Sequence, residues 1–327
     1  MVREYTKDTT ADELVKDLAG EIANKVVLVT GVSQGTLGGI FLEYIVKANP
    51  SRLILAGRTL SKTQQTADAL KAAHPNIDIR TLQVDLSSLA DVREAAAKVN
   101  SWEDVPHIDV LVNNAGIMAI PYQVTVDGFE MQFGSNHLGP FLFTNLIMDK
   151  ILASKAPRIV NVSSSGHRLN PIRFFDYNFG DGETYNRWQA YGQSKTANML
   201  MAVSLAEKLG SRGLTAFSLH PGTIMTHLGE HIDFSVEFAT LAAADRLLGN
   251  AEGWLTEFDF KTPDRGVATH IYAAFEPSLK EVNGVYLEDA HVADPFVQTV
   301  KPWGTSKVEA ERLWKLSEKL VGQEFSF

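Results

Sequence analysis

A doubly wound α/β fold, with a parallel sheet covered by helices on both faces, is the architecture that this sequence predicts. Short apolar, β-branched runs alternate with amphipathic helical patterns, and such runs are typical of strands buried on both faces. The first run leads directly into a glycine-rich turn, where a helix N-terminus can receive an anion. At 327 residues and 45% hydrophobic content, the chain can form one such domain with additional segments.

The predicted elements follow this alternation along the chain. Strands are expected at 25–30, 52–56, 79–84, 110–112, 158–162, 215–219 and, more weakly, 284–287. Helical patterns lie between them at 40–48, 61–73, 89–99, 129–152, 191–209 and 262–274. The alternation breaks at 165–190 and at 226–261. Because ligands bind at the carboxyl ends of parallel strands, we expect both insertions to face the substrate.

Residues 25–295 are predicted to form a single domain, with a helical extension at 1–24 and a helical tail at 296–327. Thr10 and Glu13 fit a capping box that opens a short helix ending near Gly20. Mixed charge on the helical pattern of the tail predicts a solvated terminal helix. The apolar segment 234–255 is typical of an amphipathic lid helix or a packing surface, and less so of membrane contact.

Composition excludes several classes of function. A formal net charge of −9 and a pI near 5.5 argue against a nucleic-acid partner. The chain has no cysteine, and although His137, His167 and His220 adjoin motifs, none has metal-ligand spacing, so no metal site is expected. The first residues lack the apolar run of a secretory signal, and charges interrupt the most apolar stretch. We therefore expect no membrane span and a cytoplasmic location.

Tyr191 and Lys195 are the residues most indicative of chemistry. Four residues apart on a predicted helix, their side chains leave the same face one turn apart. A phenol normally loses its proton near pH 10, too high for acid–base work at neutrality. An adjacent ammonium favours the phenolate, so we expect Lys195 to lower the pKa of Tyr191.

The glycine-rich turn after the first strand predicts dinucleotide binding. Gly31, Gly35 and Gly38 let the backbone approach a pyrophosphate at the N-terminus of the following helix. The second strand is followed by Arg58 where NAD-selective sites place a carboxylate. A guanidinium suits a 2′-phosphate, so NADP(H) is the expected cofactor.

These motifs, in order over about residues 25–290, resemble the short-chain dehydrogenase/reductase family, whose domain is a Rossmann fold. The motifs are the glycine-rich turn, Asp85, Asn113-Asn114-Ala115-Gly116, Asn136, Ser164 in Asn161-Val-Ser-Ser164, Tyr191-x-x-x-Lys195 and Pro221-Gly222. Within the family, residues 133–139, the long gap between Ser164 and Tyr191, and residues 310–314 are similar to the retinol-dehydrogenase-like branch and its soluble fungal relatives.

The resemblance implies a role for each catalytic residue. Tyr191 would donate a proton to the carbonyl oxygen in reduction and accept one in oxidation. Lys195 would lower its pKa and hydrogen-bond the nicotinamide ribose. Ser164 would orient the substrate carbonyl, and Asn136 would anchor a water in a proton relay to Lys195. The family pattern selects Ser164 over Ser163 and Ser165.

The resemblance also implies the cofactor contacts. They are Gly31, Ser33, Gly35, Leu37, Gly38, Arg58, Asp85, Leu86, Asn113, Ala115, Gly116, Tyr191, Lys195, Pro221, Gly222, Ile224 and Thr226. The family usually has Gly-x-x-x-Gly-x-Gly, whereas this chain has one more residue before Gly38, with Thr36 in the extra space. We expect the turn to absorb this residue.

The expected activity is NADP(H)-dependent reduction of a ketone or aldehyde on an apolar small molecule. The alternative is a family member without net redox, acting as an NADP(H) sensor or as an isomerase, dehydratase or cyclase. A homodimer through the helices at 129–152 and 191–209 is possible, unless the insertions or tail block that surface. Aromatic residues at 174–188 could line a substrate pocket or form a local core, and His167 could face substrate or be structural.

Overall fold

The computed structural model describes residues 4–255 and 259–327, and within them an eight-stranded sheet of order β3-β2-β1-β4-β5-β6-β7-β8. The strands are β1 Val26–Thr30, β2 Arg52–Gly57, β3 Ile79–Gln83, β4 Val110–Asn113, β5 Arg158–Val162, β6 Thr215–His220, β7 Tyr286–Glu288 and β8 His291–Val292. The first seven strands pair in parallel, and β8 is antiparallel to β7. The predicted doubly wound fold is confirmed.

Helices cover both faces of this sheet. In chain order they are α1 Ala11–Asp17, α2 Ala19–Ile22, α3 Leu37–Ile45, α4 Leu60–Ala73, α5 Leu89–Asn100, α6 Met131–Phe133, α7 Gly139–Leu146, α8 Met148–Leu152, α9 Arg187–Leu209, α10 Phe234–Leu247, α11 Pro263–Phe275, α12 Pro302–Thr305 and α13 Lys307–Val321. Alternate strand residues point to opposite faces, so Leu28 packs beneath α5, α7, α9 and α13, whereas Val27 and Val29 pack beneath α1, α3, α4 and α11.

Several predicted boundaries differ from the structure. The helix expected at 129–152 is divided into α6, a π-helical turn at Gly134–Leu138, α7 and α8. The helix expected at 40–48 begins earlier, at Leu37, because Thr36 caps it. The two-residue edge strand β8 was not predicted, since so short a run carries no periodic signal. The capping box of Thr10 and Glu13 is present at the start of α1.

The expectation of a solvated terminal helix is wrong. One stripe of α13 is buried along α9, and the Trp314 ring meets the Phe141 ring edge-on at a centroid distance of 4.9 Å. Ser317 Oγ lies 2.8 Å from the buried His137 Nε2. Apart from the buried Glu318, the charged residues lie on the outer face of an amphipathic helix. Helix α13 thus covers part of α9, one of the helices through which a homodimer is considered possible unless the tail blocks it.

The aromatic insertion at 165–190 forms mainly a local core. Phe179 is fully buried and its ring meets that of Tyr185 edge-on at 5.7 Å, whereas Phe175 is 98% exposed. Phe174 and Tyr177 pack instead against the main core of the domain, and Trp188 packs with Leu169 and Ala244 beneath α10. The other insertion, 226–261, includes α10, and its residues 256–258 lie outside the described residues.

Candidate active site

Three consecutive serines follow β5, and their contacts show which one belongs to the site. Ser163 Oγ donates to Lys195 O at 2.7 Å and is buried. Ser165 Oγ lies 3.4 Å from the Arg168 Nη1 atom. Ser164 Oγ instead accepts the Gly166 N–H at 3.0 Å, and a Cβ at Gly166 would lie 3.3 Å from Ser164 Oγ and 2.7 Å from Tyr191 Cε1. The side chains of Ser164 and Tyr191 therefore lie beside the same small space.

Burial decides the protonation of the Tyr191–Lys195 pair. Burial raises the pKa of Tyr191 to about 12, although the Ser164 hydrogen bond and the Arg168 charge oppose the rise. Burial also lowers the pKa of Lys195 to about 8. The expected lowering of the Tyr191 pKa by Lys195 is not observed. Lys195 Nζ turns to Val162 O, at 3.0 Å, and lies 5.6 Å from the Tyr191 ring centroid.

Asn136 lies in the π-helical turn Gly134–Leu138, a distortion frequent at functional sites. Its Nδ2 donates to Ile117 O and Ser194 Oγ, both at 2.9 Å, and its Oδ1 accepts the Ile117 N–H at 2.8 Å. A Cβ added at Gly116 would lie 3.3 Å from Asn136 Oδ1 and 3.4 Å from Lys195 Nζ. Both polar groups thus face the space beside Gly116.

The glycine-rich turn has the shape of a phosphate cradle. Gly31 and Gly35 have φ values of +72° and +74°, a left-handed conformation that favours glycine. A Cβ at Gly38 would lie 2.5 Å from Asn114 Nδ2. The extra residue, Thr36, is accommodated as the N-cap of α3, where its Oγ1 accepts the Gly39 N–H and donates to Ser33 O at 2.6 Å. These residues fit a dinucleotide.

The segment after β4 braces the sheet beneath this cradle. Asn113 Nδ2 donates to Asn161 Oδ1 on β5 at 2.9 Å. Asn114 Nδ2 donates to Thr30 O on β1 at 2.8 Å, and the Ala115 N–H donates to Thr30 Oγ1 at 3.0 Å. The amides therefore hold the ends of three strands together beside the expected dinucleotide groove.

The loop after β6 lies at the same edge of the sheet. Pro221 is buried, and Gly222, with a φ of +96°, packs against the Lys261 side chain. A Cβ at Gly266 would lie 2.2 Å from Ile224 Cδ1 and 3.7 Å from Leu37 Cδ2, which joins this loop to the start of α3. The Thr226 hydroxyl accepts the Leu228 N–H.

The remaining cofactor candidates lie at the ends of β2 and β3. Arg58 is exposed directly after β2. Asp85 Oδ1 already accepts the Ser87 N–H at 2.9 Å and the Ser87 hydroxyl at 2.6 Å. Leu86 is buried, and its carbonyl oxygen lies 2.1 Å from where a Gly139 Cβ would be. The contacts that the resemblance implies for them stay predictions.

His167 is structural in this arrangement. Its Nε2 accepts the Lys301 N–H at 3.2 Å, so its Nδ1 donates to Ser164 O at 2.8 Å. Burial lowers its pKa to about 4, which keeps the ring neutral. The interpretation of His167 as a structural residue is therefore favoured over contact with substrate. The described residues, which omit 1–3 and 256–258, hold no group of three or more potential metal ligands.

The sequence analysis does not identify the buried Arg168. Its guanidinium donates to Ser165 O, next to Ser164, and its charge opposes the rise in the pKa of Tyr191. Its partner, Asp245, is 77 residues away on α10, so no local spacing connects them. The one sign of this pairing in the sequence is a charged residue, Asp245, inside the apolar segment 234–255.

Among the described residues, no helix combines the length and the apolar character that a membrane span requires.

Comparisons with known proteins agree with this geometry. The family model described as "short chain dehydrogenase" matches residues 25–233. The chain is 37% identical to human retinol dehydrogenase 13 over 303 residues, covering 93% of this chain and 86% of that protein. It is 33% identical to the short-chain dehydrogenase TIC 32 A, chloroplastic, of Brassica napus, covering 97% and 94%. A crystal structure of an uncharacterized protein from Mycobacterium paratuberculosis superposes with a TM-score of 0.70 at 29% identity, covering 94% and 96%.

A dinucleotide cradle joined to a Ser–Tyr–Lys site defines an oxidoreductase that acts on alcohols or carbonyls with a nicotinamide cofactor. The chain belongs to the short-chain dehydrogenase family, and its relatives lie in the retinol-dehydrogenase-like branch. The predicted family and branch are confirmed, whereas the similarity to fungal members stays a prediction.

Proposed function

We propose that this protein is an NADP(H)-dependent reductase that transfers a hydride from nicotinamide to the carbonyl carbon of an apolar small molecule. The observation that carries the proposal is the convergence of Ser164 and Tyr191 beside Gly166, where an added Cβ would lie 3.3 Å from Ser164 Oγ and 2.7 Å from Tyr191 Cε1, with Lys195 one helical turn further along α9. Following NADPH absorbance across a panel of ketones and aldehydes tests it. The proposal would be contradicted if the protein consumed NADPH with none of these compounds.

The roles of the residues follow from their contacts. The nicotinamide would supply the hydride, and the side chains would handle the substrate oxygen and its proton. Ser164 would hold the carbonyl oxygen, and the Tyr191 hydroxyl would donate the proton as the oxygen gains charge. With a pKa near 12, Tyr191 is protonated at neutral pH, which is the state that reduction requires. Lys195 would resupply the proton, which would reach it through a water that Asn136 anchors beside Gly116.

The loss of activity at alkaline pH should follow the deprotonation of Lys195. Because burial lowers its pKa to about 8, the ammonium is present below that pH and is lost above it. We expect kcat/KM for NADPH to fall as pH rises through about 8. A Lys195→Arg variant keeps its charge, so its activity should be lower overall but without this loss at alkaline pH. A wild-type profile that stays flat to pH 10, with folding verified by circular dichroism, would contradict the role.

An apolar substrate is supported by the packing beside the catalytic residues. A small apolar cluster joins α10 to the segments that carry Ser164 and Tyr191; its buried members are Ala119, Leu169, Trp188, Ile232 and Ala244, with Met118 and Leu241 partly buried. Its partly buried members, Met118 and Leu241, leave hydrocarbon surface where the insertions are expected to face substrate. The relatives named as retinol dehydrogenases support the same class.

Arg58 should determine the preference for NADPH over NADH. A guanidinium can hold a 2′-phosphate through charge-assisted hydrogen bonds, and losing them costs about 1.5–3 kcal/mol, or about 10- to 100-fold in affinity. We expect Arg58→Ala to raise the Kd for NADPH by that factor while leaving the Kd for NADH within about two-fold. Fluorescence titration of both cofactors measures this.

The matched control is Arg212→Gln, which removes an exposed arginine beyond α9, before β6. It should leave both dissociation constants unchanged. Equal weakening of NADPH and NADH by Arg58→Ala would show that Arg58 does not read the 2′-phosphate. A wild type that binds NADH more tightly than NADPH would contradict the cofactor assignment.

The alternative without net redox was suggested by the longer glycine-rich turn, and the Thr36 cap that accommodates the extra residue supports the redox interpretation. Substrate consumption at constant NADPH absorbance would favour the alternative. The cytoplasmic location and the absence of a nucleic-acid partner stay predictions. A homodimer through α7 and α9 would have to accommodate α13, and light scattering in solution would measure it.

A further inference from the structure

Helix α10 is joined to the catalytic serine segment by a buried ion pair. The Arg168 guanidinium donates from Nε to Asp245 Oδ1 and from Nη2 to Asp245 Oδ2, both at 2.8 Å. Arg168 is 5% exposed and Asp245 is 1% exposed. A two-pronged contact of this kind fixes both the distance and the orientation of its partners. The position of α10 is thereby linked to that of Arg168.

Arg168 is also held by hydrogen bonds within the backbone segment that follows Ser164. Its Nη1 donates to Ser165 O at 3.0 Å, and it lies within the short 3₁₀ segment Ser165–Leu169 that Ser164 caps. Asn250, just beyond α10, completes the link, since its Nδ2 donates to Asp245 Oδ1 at 2.9 Å and to Arg168 O at 3.2 Å. Displacement of Asp245 would therefore act on the backbone next to Ser164.

A second contact joins α10 to the helix that carries Tyr191. Glu237 lies eight residues before Asp245, about two helical turns away. Its carboxylate accepts from Arg187 Nη1 at 2.9 Å and from Trp188 Nε1 at 3.1 Å, at the start of α9. The two acidic residues of α10 thus join the segments that bring Ser164 and Tyr191 together.

Stability alone gives no reason for a buried ion pair here. Well-packed apolar residues of similar size often serve as well or better, because both charges must leave water. What the charged pair adds is a defined geometry. We propose that Arg168 and Asp245 are positioning residues, and that the seating of α10 through this pair sets the Ser164 hydroxyl against Tyr191. This inference rests on the proposed reductase function.

The test compares Asp245→Asn in two backgrounds, with NADPH and an apolar ketone or aldehyde. In the wild-type background we expect kcat to fall about 10- to 100-fold, the scale of a misplaced catalytic group, while the Kd for NADPH stays within about two-fold. In a Ser164→Ala background, Asp245→Asn should lower kcat no further, because the pair acts through Ser164. An equal fold-loss in both backgrounds, or no loss in the wild type, would overturn the proposal.

Two further variants keep the result interpretable. Arg168→Gln with Asp245→Asn removes both charges of the buried pair and leaves only the partly buried Glu252, 3.6 Å from Arg168 Nε, without that partner. The double variant therefore serves if the single variant fails to fold, and it should show the same loss of kcat. Arg80→Gln removes another two-pronged arginine–aspartate pair, to Asp104, remote from Ser164, and should keep full activity. An equal loss in Arg80→Gln would overturn the proposal. A wild-type protein without reductase activity would contradict the proposed function itself. An active wild type, together with an Asp245→Asn variant of unchanged kcat, would contradict only this inference.

Discussion

Replacing Tyr191 with phenylalanine is expected to lower kcat for carbonyl reduction by about 10²- to 10⁴-fold, the usual contribution of a positioned general acid. The substitution removes only the hydroxyl, and Ser164 Oγ keeps its hydrogen bond from the Gly166 N–H. The fold and the cofactor groove should therefore be preserved. Steady-state kinetics, with NADPH affinity measured in parallel, would separate a loss of chemistry from a loss of binding.

Tyr44→Phe is the matched control, because Tyr44 lies on α3 and its ring contacts Lys47 rather than the site. It should retain wild-type kinetics. If Tyr191→Phe kept more than about a tenth of the wild-type kcat, another group would be delivering the proton. A large loss of NADPH affinity in Tyr191→Phe would instead point to a role in cofactor binding.

Replacing Trp314 with alanine is expected to lower the free energy of unfolding by about 3–5 kcal/mol, the cost of deleting a buried aromatic side chain. Trp314 is 2% exposed, contacts the Phe141 ring, and donates from Nε1 to Glu318 Oε1 at 3.0 Å. Its loss would leave a cavity between α13 and α7 and remove a partner of the buried Glu318. Urea unfolding followed by circular dichroism measures the change.

The control for this substitution is Trp254→Ala, since Trp254 is 74% exposed. Its effect should stay within about 0.5 kcal/mol of the wild type, as is usual for surface positions. A loss below about 1 kcal/mol in Trp314→Ala would mean that the tail helix contributes little to the domain.

The sheet could be predicted because its strands are built on short apolar runs, as in β1 and the centre of β2, and such runs between helical patterns are typical of buried strands. The tail could not, because the charges of α13 dominate its composition, and only the spacing of Ala310, Leu313 and Trp314 marks the buried stripe. Composition shows that a helix is polar on average, and not which face another helix will cover.

Motifs in the sequence select the candidate catalytic residues, but they do not predict the electrostatics of these residues. Spacing placed Tyr191 and Lys195 one turn apart, yet the direction of the Tyr191 pKa depends on burial and on where Lys195 Nζ points. Both depend on residues far away in the chain. Arg168 and Asp245 illustrate the same limit, because their pairing exists only once α10 has folded over the serine segment.

His167 connects the region after β8 to the candidate catalytic serine through hydrogen bonds. The Lys301 N–H and Trp303 Nε1 both donate to this residue, whose Nδ1 in turn donates to Ser164 O. Exchanging C-terminal segments between homologues would therefore alter the support of Ser164, even where every motif residue is kept. Grafted or shortened variants of this enzyme should be designed with residues 301–303 treated as inseparable from the reaction centre.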